Sequence, residues 1–252
     1  MCNLKYIIAI TIASAGIIST QADTPTNAPA SSLATTNPYP WVSQAAAGIS
    51  IARGNSDFEL FNAKIGTQKK TPVNEYILGA DASYGESSGT ENADTIHGNV
   101  QYNRNFNEKL YGFIIVDGLH DGIQDIKYRV SLNPGAGYYF IKTKATTLSG
   151  EFGPGVVTQE LGDDTTTYAD LRVAERLDQV LTPAAKMWEK AELLTQVSQL
   201  DNYYVNSEIG VESAMSKSMG LQLTLSDSYV NDPAPGRKSN DVRLIGGISY
   251  KF

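Results

Sequence analysis

Residues 242–252 alternate between apolar and polar side chains along the end of the chain. Tyr250 and Phe252 fall on one side of this alternation, and Arg243 and Lys251 fall on the other. Because successive side chains of a β-strand point to opposite faces, a period of two predicts a strand with one apolar and one polar face. The same alternation recurs upstream, at 219–231, 202–215 and 93–106.

From residue 41 onward the chain divides into about twelve such segments, separated by residues that favour turns. An even number of antiparallel strands brings the C-terminus back to the end of the barrel where the first strand starts. The sequence therefore predicts an all-β protein, a closed antiparallel transmembrane β-barrel. The predicted strands are 41–53, 57–68, 75–85, 93–106, 109–119, 125–141, 145–160, 165–181, 184–200, 202–215, 219–231 and 239–252.

The segments between the predicted strands are longer at one end of the barrel than at the other. Long loops outside and short turns on the periplasmic side are typical of outer-membrane barrels, so we expect short periplasmic turns and longer extracellular loops. The predicted extracellular loops contain 54–57, 86–94, 120–125, 162–166, 200–202 and 231–241. The predicted periplasmic turns contain 69–74, 107–109, 142–144, 182–185 and 216–218.

Aromatic residues concentrate near the ends of the predicted strands. Amphipathic rings favour the two membrane–water interfaces, so this distribution is typical of the aromatic girdles of a membrane barrel. The residues assigned to girdles on this basis are Trp41, Tyr84, Tyr111, Trp188, Tyr203, Tyr204 and Tyr229.

Two segments fit the strand interpretation poorly. Residues 183–200 begin with Pro183 and continue with residues that favour a helix, so a capped helix is the alternative there and would change the strand count. Pro134 and Pro154 fall inside neighbouring predicted strands, where proline is tolerated mainly at edges and bulges. We therefore expect paired bulges at these prolines and a distorted barrel.

The N-terminal segment has the layout of a secretory signal, with a buried first helix as the alternative. Lys5 is followed by an apolar stretch too short to span a bilayer and by small residues up to Ala22. Residues 23–40 are rich in Pro, Thr, Asn and Ser and are expected to be disordered. The predicted organisation is a signal peptide at 1–22, a disordered lead-in at 23–40 and an outer-membrane barrel at 41–252.

Composition narrows the possible functions. The formal net charge is −7 and becomes −8 without residues 1–22, whose only charged residue is Lys5. This acidic balance argues against nucleic acid as a partner. The only cysteine is Cys2, so the exported chain would lack thiol nucleophiles and cysteine metal ligands. No later segment has the roughly 18 apolar residues that a spanning helix needs, so a membrane protein with this sequence must cross as strands.

Several predicted strands have one strongly polar face, which points into the lumen of a membrane barrel. Acids and arginines facing each other there either fill the barrel with hydrogen bonds or line a thin aqueous path. A barrel of about twelve strands lies between the filled and the open cases, so both remain open. The predicted lumen residues are Asp81, His97, Asn99, Gln101, Asp170, Arg172, Arg176, Glu208, Glu212 and Arg243.

The end of the chain and several internal segments carry a family resemblance. Ile248, Tyr250 and Phe252 resemble the terminal signature of outer-membrane barrels, which implies recognition by the barrel-assembly machinery. Over roughly 42–252 the chain resembles the YdiY-like salt-induced outer membrane proteins, a domain-of-unknown-function family, DUF481. This resemblance implies an outer-membrane barrel linked to salt or osmotic conditions, without catalytic residues. The segments that carry it are AGISIARGNSD, LNPGAGYYF, LSGEFGPGVV, AERLDQ, NYYVNSEIGVES and DPAPGRKSNDVRLIGGISYKF.

Candidate chemistry is sparse. The chain has two histidines, and no nucleophile motif frames either of them. His97 lies on a polar strand face and His120 starts a predicted loop, so each could be paired with a serine such as Ser83 or Ser87. We expect no catalytic residue, no cofactor and no metal site. The loop acids are interpreted as solvated charge, with divalent cations that bridge lipopolysaccharide as the alternative for Asp163, Asp164 and Asp241.

The leading functional hypothesis is a barrel of structural or narrow-pore type in the outer membrane of a Gram-negative bacterium. The expected partners are outer-membrane lipid and lipopolysaccharide, the barrel-assembly machinery, and small solutes or ions. Two alternatives stay open. One is an outer-membrane enzyme that modifies lipid or lipopolysaccharide, and the other is a soluble periplasmic barrel that binds an apolar ligand with its apolar face turned inward.

Overall fold

Twelve antiparallel strands form one closed barrel in the computed structural model, which describes residues 38–52, 58–233 and 239–252. The predicted closed antiparallel barrel is confirmed. The predicted signal peptide, the loop at 54–57 and all of the lead-in before residue 38 lie outside the described residues. The strands are β1 (Trp41–Ala52), β2 (Phe58–Lys70), β3 (Asn74–Ser87), β4 (Thr90–Asn105), β5 (Leu110–Asp121), β6 (Ile126–Lys142), β7 (Thr146–Leu161), β8 (Asp164–Thr182), β9 (Ala185–Gln196), β10 (Gln199–Ala214), β11 (Met219–Val230) and β12 (Asn240–Lys251).

Each strand pairs with its neighbours in sequence, and the first pairs with the last. We call the end where β1 begins and β12 ends the terminal end, and the opposite end the distal end. At the terminal end, Ser43 and Phe252 exchange backbone hydrogen bonds of 3.3 and 3.1 Å. These bonds complete the closure, so the last residue of the chain is part of the barrel wall.

The distal connections are shorter than the sequence predicted. The connection at 231–239 is long, but those at 88–89, 162–163 and 197–198 are tight turns. The strands continue through most of the polar segments predicted as loops, because antiparallel pairing satisfies their backbone groups. At 88–89 both turn residues have positive φ, 52° for Ser88 and 77° for Gly89, as in the two-residue turns that match strand twist.

The two faces of the barrel wall differ in chemistry. Residues that are directly opposite on paired strands share a face, and the face of Leu221, Ile248 and Leu244 is apolar and open to the surroundings. The other face makes side-chain contacts between strands that are not neighbours, such as Lys64 on β2 with Glu208 on β10. Such contacts can only cross the interior. The apolar face therefore points outward, which is the reverse of what the soluble apolar-ligand barrel requires.

The segment that allowed a helix is strand β9. It pairs along its length with β8 and β10, and its even-numbered residues, including Trp188 and Lys190, face the lumen. Pairing on both sides overrides the helical propensity of the segment, because propensity differences are small per residue. Within the described residues, no helix is long and apolar enough to cross a membrane.

The prolines of β6 and β7 cause no bulge. The register is the same on both sides of them, with Leu132 opposite Val156 and Ala136 opposite Phe152. Constant register places Pro134 and Pro154 opposite each other, so both missing N–H donors fall on one rung of the ladder. The predicted paired bulges are wrong at this position. The irregularities of this strand pair lie instead near its two ends.

Candidate functional site

The lumen wall is the candidate site, and strand register places all ten predicted lumen residues on its inner face. Asp81 lies opposite His97, and Asn99 lies opposite Gly79 and Asp117. Gln101, Arg172 and Glu208 belong to two clusters of charged side chains. The sequence did not place several members of these clusters in the lumen, namely Lys64, Tyr111, Glu151, Trp188, Lys190 and Glu192.

A buried cluster around Arg172 joins five strands. Arg172 on β8 donates to Glu151 on β7 at 2.8 Å and to Glu192 on β9 at 2.6 Å. The second oxygen of Glu151 accepts hydrogen bonds from Gln101 on β4 and Tyr111 on β5, both at 2.9 Å. Only 8% of the Arg172 side chain and 13% of the Glu151 side chain are exposed, so these charges depend on each other rather than on water. We call these five residues the Arg172 cluster.

Two glycines of β6 make room for the aromatic rings beside this cluster. Gly137 is directly opposite Tyr111, and Gly135 is directly opposite Phe113. A Cβ atom at either glycine would overlap the facing ring. The glycines next to Pro134 therefore seat lumen aromatics, which is a different role from the predicted bulge. The ring of Phe113 in turn lies 5.4 Å from the Arg172 guanidinium.

A second cluster surrounds Glu208 on β10 and reaches across the lumen. Glu208 accepts a hydrogen bond from the Trp188 indole at 2.6 Å and lies 3.3 Å from the Lys190 ammonium, both on neighbouring β9. Lys64 approaches from β2 and lies 3.1 Å from the same carboxylate. The side chains of Lys64 and Glu208 are 43% and 21% exposed, so this cluster is accessible to water. We call these four residues the Glu208 cluster.

Other side chains also cross the interior. Arg243 on β12 donates to Thr95 on β4 at 3.3 Å. Arg129 on β6 stacks 3.9 Å from the centre of the Tyr204 ring on β10. In each pair the two strands are not neighbours in the barrel, so these contacts narrow the lumen at points separate from the Glu208 cluster.

The aromatic residues are split between the two faces. Tyr111, Trp188 and Tyr204 are buried in the lumen, so their predicted place in the girdles is wrong. Charged groups inside the lumen provide partners for their rings and polar atoms, which explains why these residues are stable there. The outward aromatic contacts at the terminal end join Trp41 with Tyr76 and Tyr76 with Tyr102, and the contact at the distal end joins Tyr203 with Tyr229.

The terminal mouth of the lumen contains a third group of charges. Glu212 lies 2.7 Å from Lys251 and 3.6 Å from Lys186, and it accepts a hydrogen bond from Gln44 at 2.5 Å. Arg176 and Asp178 are paired along β8, with a shortest distance of 2.6 Å. These contacts place four bases of the lumen, counting Lys190, on β8, β9 and β12 near the terminal end.

His97 lies between two aspartates on the lumen wall. Its Nδ1 atom is 2.9 Å from Asp81 on β3, and its Nε2 atom is 2.7 Å from Asp117 on β5. The Ser83 hydroxyl donates instead to Asn62 at 2.7 Å. The serine–histidine pair considered from the sequence is therefore not formed at Ser83. Three adjacent strands are linked by the imidazole.

Asp170 and Asn133 form the most deeply buried polar pair, with exposed fractions of 1% and 0%. The Asn133 amide donates to the Asp170 carboxylate at 2.8 Å. Gly155 on the intervening strand gives this pair its space, because a Cβ atom there would overlap Asn133. A cavity of about 20 Å³ lies beside Asp170, which is room for about one water molecule.

The acids of the distal rim are partly neutralised by bases. Asp163 and Glu160 lie 3.1 and 2.9 Å from the Lys127 ammonium, and Asp241 is paired with Arg243. The Nε2 atom of His120, near this rim, lies 3.6 Å from the Asp94 carboxylate. Among the residues that the structure describes, no group of three or more His, Cys, Asp or Glu side chains is arranged to hold a metal ion.

Charge is distributed unevenly along the lumen. We assign residues up to six positions from the terminal end of each strand to the terminal half, and the others to the distal half. Among the described lumen residues, leaving out His97 and the rim, the terminal half has seven bases and five acids, and the distal half has three bases and five acids. The terminal bases are Lys64, Lys70, Lys142, Arg176, Lys186, Lys190 and Lys251, and the acids are Glu75, Glu151, Asp178, Glu208 and Glu212. The distal bases are Arg129, Arg172 and Arg243, and the acids are Asp81, Asp117, Asp121, Asp170 and Glu192.

Comparison with known proteins gives a family and a fold. The sequence profile of the family described as "Protein of unknown function, DUF481" matches residues 45–252. No match was found among the curated proteins. The barrel is similar to the structure titled "NanC porin structure in rhombohedral crystal form", with a TM-score of 0.53, 8% sequence identity, and coverage of 84% of this chain and 100% of that chain.

Two further solved barrels are less similar. The translocator domain of autotransporter NalP from Neisseria meningitidis has a TM-score of 0.48 at 14% identity, covering 84% of this chain and 88% of that chain. A structure titled "KdgM porin" has a TM-score of 0.45 at 8% identity, covering 84% and 99%. At these identities the similarity concerns the fold alone.

Proposed function

The chain belongs to the DUF481 family, and we propose that it is an outer-membrane barrel whose charged lumen is a narrow pore for water and small ions. The observation that carries the proposal is the orientation of the barrel wall, with apolar side chains outside and charged side chains inside. Exposed apolar surface of this extent is stable when hydrocarbon surrounds it, and a closed barrel leaves no unpaired strand edge there.

Several features support the location and the partners included in this proposal. Outward aromatic pairs occur near both ends, as at the two interfaces of a membrane. Tyr250 and Phe252 face outward with ring centres 6.1 Å apart, which suits a terminal signal read by the barrel-assembly machinery. The proposed surroundings are outer-membrane lipid and lipopolysaccharide, with the terminal end in the periplasm.

The contacts that cross the lumen support a narrow pore over an open channel. Lys64 with Glu208, Arg243 with Thr95, and Arg129 with Tyr204 each occupy part of the cross-section. The Lys64 side chain is 43% exposed, which supports access of water to the middle of the barrel. Water and small ions can therefore pass beside these side chains, whereas larger solutes would have to displace them.

The link to salt or osmotic conditions implied by the family resemblance is part of the same proposal. Hydrated ion pairs such as Lys64–Glu208 weaken as ionic strength rises, because mobile ions screen them. Conductance through this lumen would then rise more steeply with salt concentration than bulk conductivity does. A comparison of single-channel conductance at several salt concentrations measures this directly.

The test is folding in detergent followed by conductance in planar bilayers. We expect gel mobility that shifts on boiling only for detergent-folded protein, together with small single-channel currents. Lys64→Ala is expected to raise the current, while Lys69→Ala, on the outward face of the same strand, serves as the matched control and leaves it unchanged. Ordered folding in plain buffer would overturn the membrane barrel, and a folded barrel without current would overturn the pore.

A further inference from the structure

We propose that this lumen is a rectifier, which conducts ions better in one direction of the applied voltage than in the other. The inference rests on the proposed pore and adds a property that the pore alone does not require. Its basis is the opposite net charge of the two halves of the lumen, with bases in excess in the terminal half and acids in excess in the distal half.

The excess charge in the terminal half is carried by side chains that face water. The Lys142 ammonium contacts the Glu108 backbone carbonyl at 2.9 Å and the Tyr139 ring at 3.9 Å, and neither partner cancels its charge. The Lys186 side chain is 42% exposed, and its ammonium lies 3.6 Å from the carboxylate of Glu212, which also pairs with Lys251. Mobile ions in this half therefore meet a positive wall.

The distal half presents the opposite sign. Asp81 and Asp117 share the single imidazole of His97, so two carboxylates face one ring. Asp121 lies at the distal end of β5, and no side-chain ion pair joins it to a base among the described contacts. Cations are therefore favoured in this half, whereas anions are favoured in the terminal half.

The order of these two halves determines the preferred direction. When the distal compartment is positive, cations enter the lumen through the acidic distal half, and anions enter it through the basic terminal half. Both carriers then accumulate inside the lumen and the current is high. When the voltage is reversed, both carriers are drawn out through the half that favours them and cannot be replaced through the half that repels them, so the current is low.

Screening sets the conditions for the effect. At about 0.1 M salt the Debye length is about 10 Å, which exceeds the free width of a lumen that side chains cross. At about 1 M it falls to about 3 Å, so the wall charges act only close to the wall. Rectification should therefore be strong at low salt and nearly absent at high salt.

The experiment measures single-channel current at equal voltages of opposite sign in the full-length protein purified from membranes. A biotin attached at Ser198→Cys, in a distal turn, reports orientation, because streptavidin blocks the current only from the compartment that the distal end faces. At about 0.1 M KCl and 100 mV we expect the current to be at least about twofold higher with the distal side positive.

The charge variant is Lys142→Gln combined with Lys186→Gln, which removes the excess of bases in the terminal half. Glu212 keeps Lys251 and Gln44 as partners in this variant. We expect its current ratio to approach one. Lys69→Gln combined with Lys217→Gln removes the same charge outside the lumen and should keep the ratio of the unmodified protein. Equal currents in both directions at low salt, or a ratio unchanged in the lumen variant, overturn rectification alone, whereas absence of current overturns the pore itself.

Discussion

The Arg172 cluster and the Glu208 cluster are built from the same chemistry in different surroundings. Each pairs a carboxylate with a basic side chain and with an aromatic residue that donates a hydrogen bond to it. The Arg172 side chain is 8% exposed, while the Lys64 side chain is 43% exposed. The first cluster connects strands along one part of the wall, and the second connects two distant parts of the wall across the lumen.

This difference assigns different tasks to the two clusters. A buried charge that loses its partner cannot be compensated by water, so the Arg172 cluster should stabilise the wall strongly. A hydrated ion pair exchanges easily for contacts with water, so the Glu208 cluster should contribute little to stability. In the proposed pore, its position in the cross-section instead lets it control the passage of ions. The following predictions test this division.

The largest effect is expected for Arg172→Ala. It leaves Glu151 and Glu192 without their shared base, so the free energy of unfolding should fall by about 3 kcal/mol or more. Urea unfolding in detergent micelles, followed by tryptophan fluorescence, measures this loss. Arg172→Lys keeps the charge but cannot bind both carboxylates with the same geometry. Its free energy of unfolding should lie between those of the unmodified protein and of Arg172→Ala. If Arg172→Ala unfolded at the same urea concentration as Lys64→Ala, the contrast between the clusters would be wrong.

An intermediate effect is expected for Gly137→Ala, which sharpens the comparison by displacing one donor of the Arg172 cluster. The added methyl group overlaps the Tyr111 ring and pushes its hydroxyl away from Glu151, at a cost of about 2 kcal/mol. Gly246→Ala is the matched control, since a Cβ atom there meets nothing within 4 Å. Equal unfolding midpoints for the two variants would show that the ring is not seated on Gly137.

The smallest stability effect is expected for Lys64→Ala in the Glu208 cluster. Glu208 keeps Trp188 and Lys190, so the unfolding free energy should change by less than about 1 kcal/mol while single-channel conductance rises. Lys127→Ala at the distal rim removes a comparable exposed base and should change neither quantity. A large loss of stability without a rise in conductance would make Lys64 a structural residue instead.

Alternation along the chain was sufficient to predict the fold and the orientation of individual side chains, because a strand has only two faces. It assigned Asp81 and Glu208 to the polar face, where register places them. It did not identify Glu151 as a partner of Arg172. Glu151 lies in a predicted strand among Gly and Phe residues. The only signal for its inward orientation was that it falls on the same strand face as the polar residue Ser149.

The errors have a common cause. Trp188 and Tyr204 were assigned to girdles because aromatics near strand ends usually meet lipid, yet their parity with Lys190 and Glu208 already put them on the inner face. The glycines near Pro134 suggested a bulge because local sequence does not show which residue will be opposite. Only the pairing of β5 with β6 revealed that they face Tyr111 and Phe113.

The sequence by itself determined that the protein is a barrel of about twelve strands with an apolar and a polar face, since period and turn residues are local properties. The tertiary structure decided which charges meet, which are buried and which cross the lumen. Partners such as Lys64 and Glu208 lie far apart in the chain, and their distance depends on the register accumulated over every intervening strand. A shift of one residue in any pair would exchange the two faces, so closure of the whole barrel fixes the chemistry of the lumen.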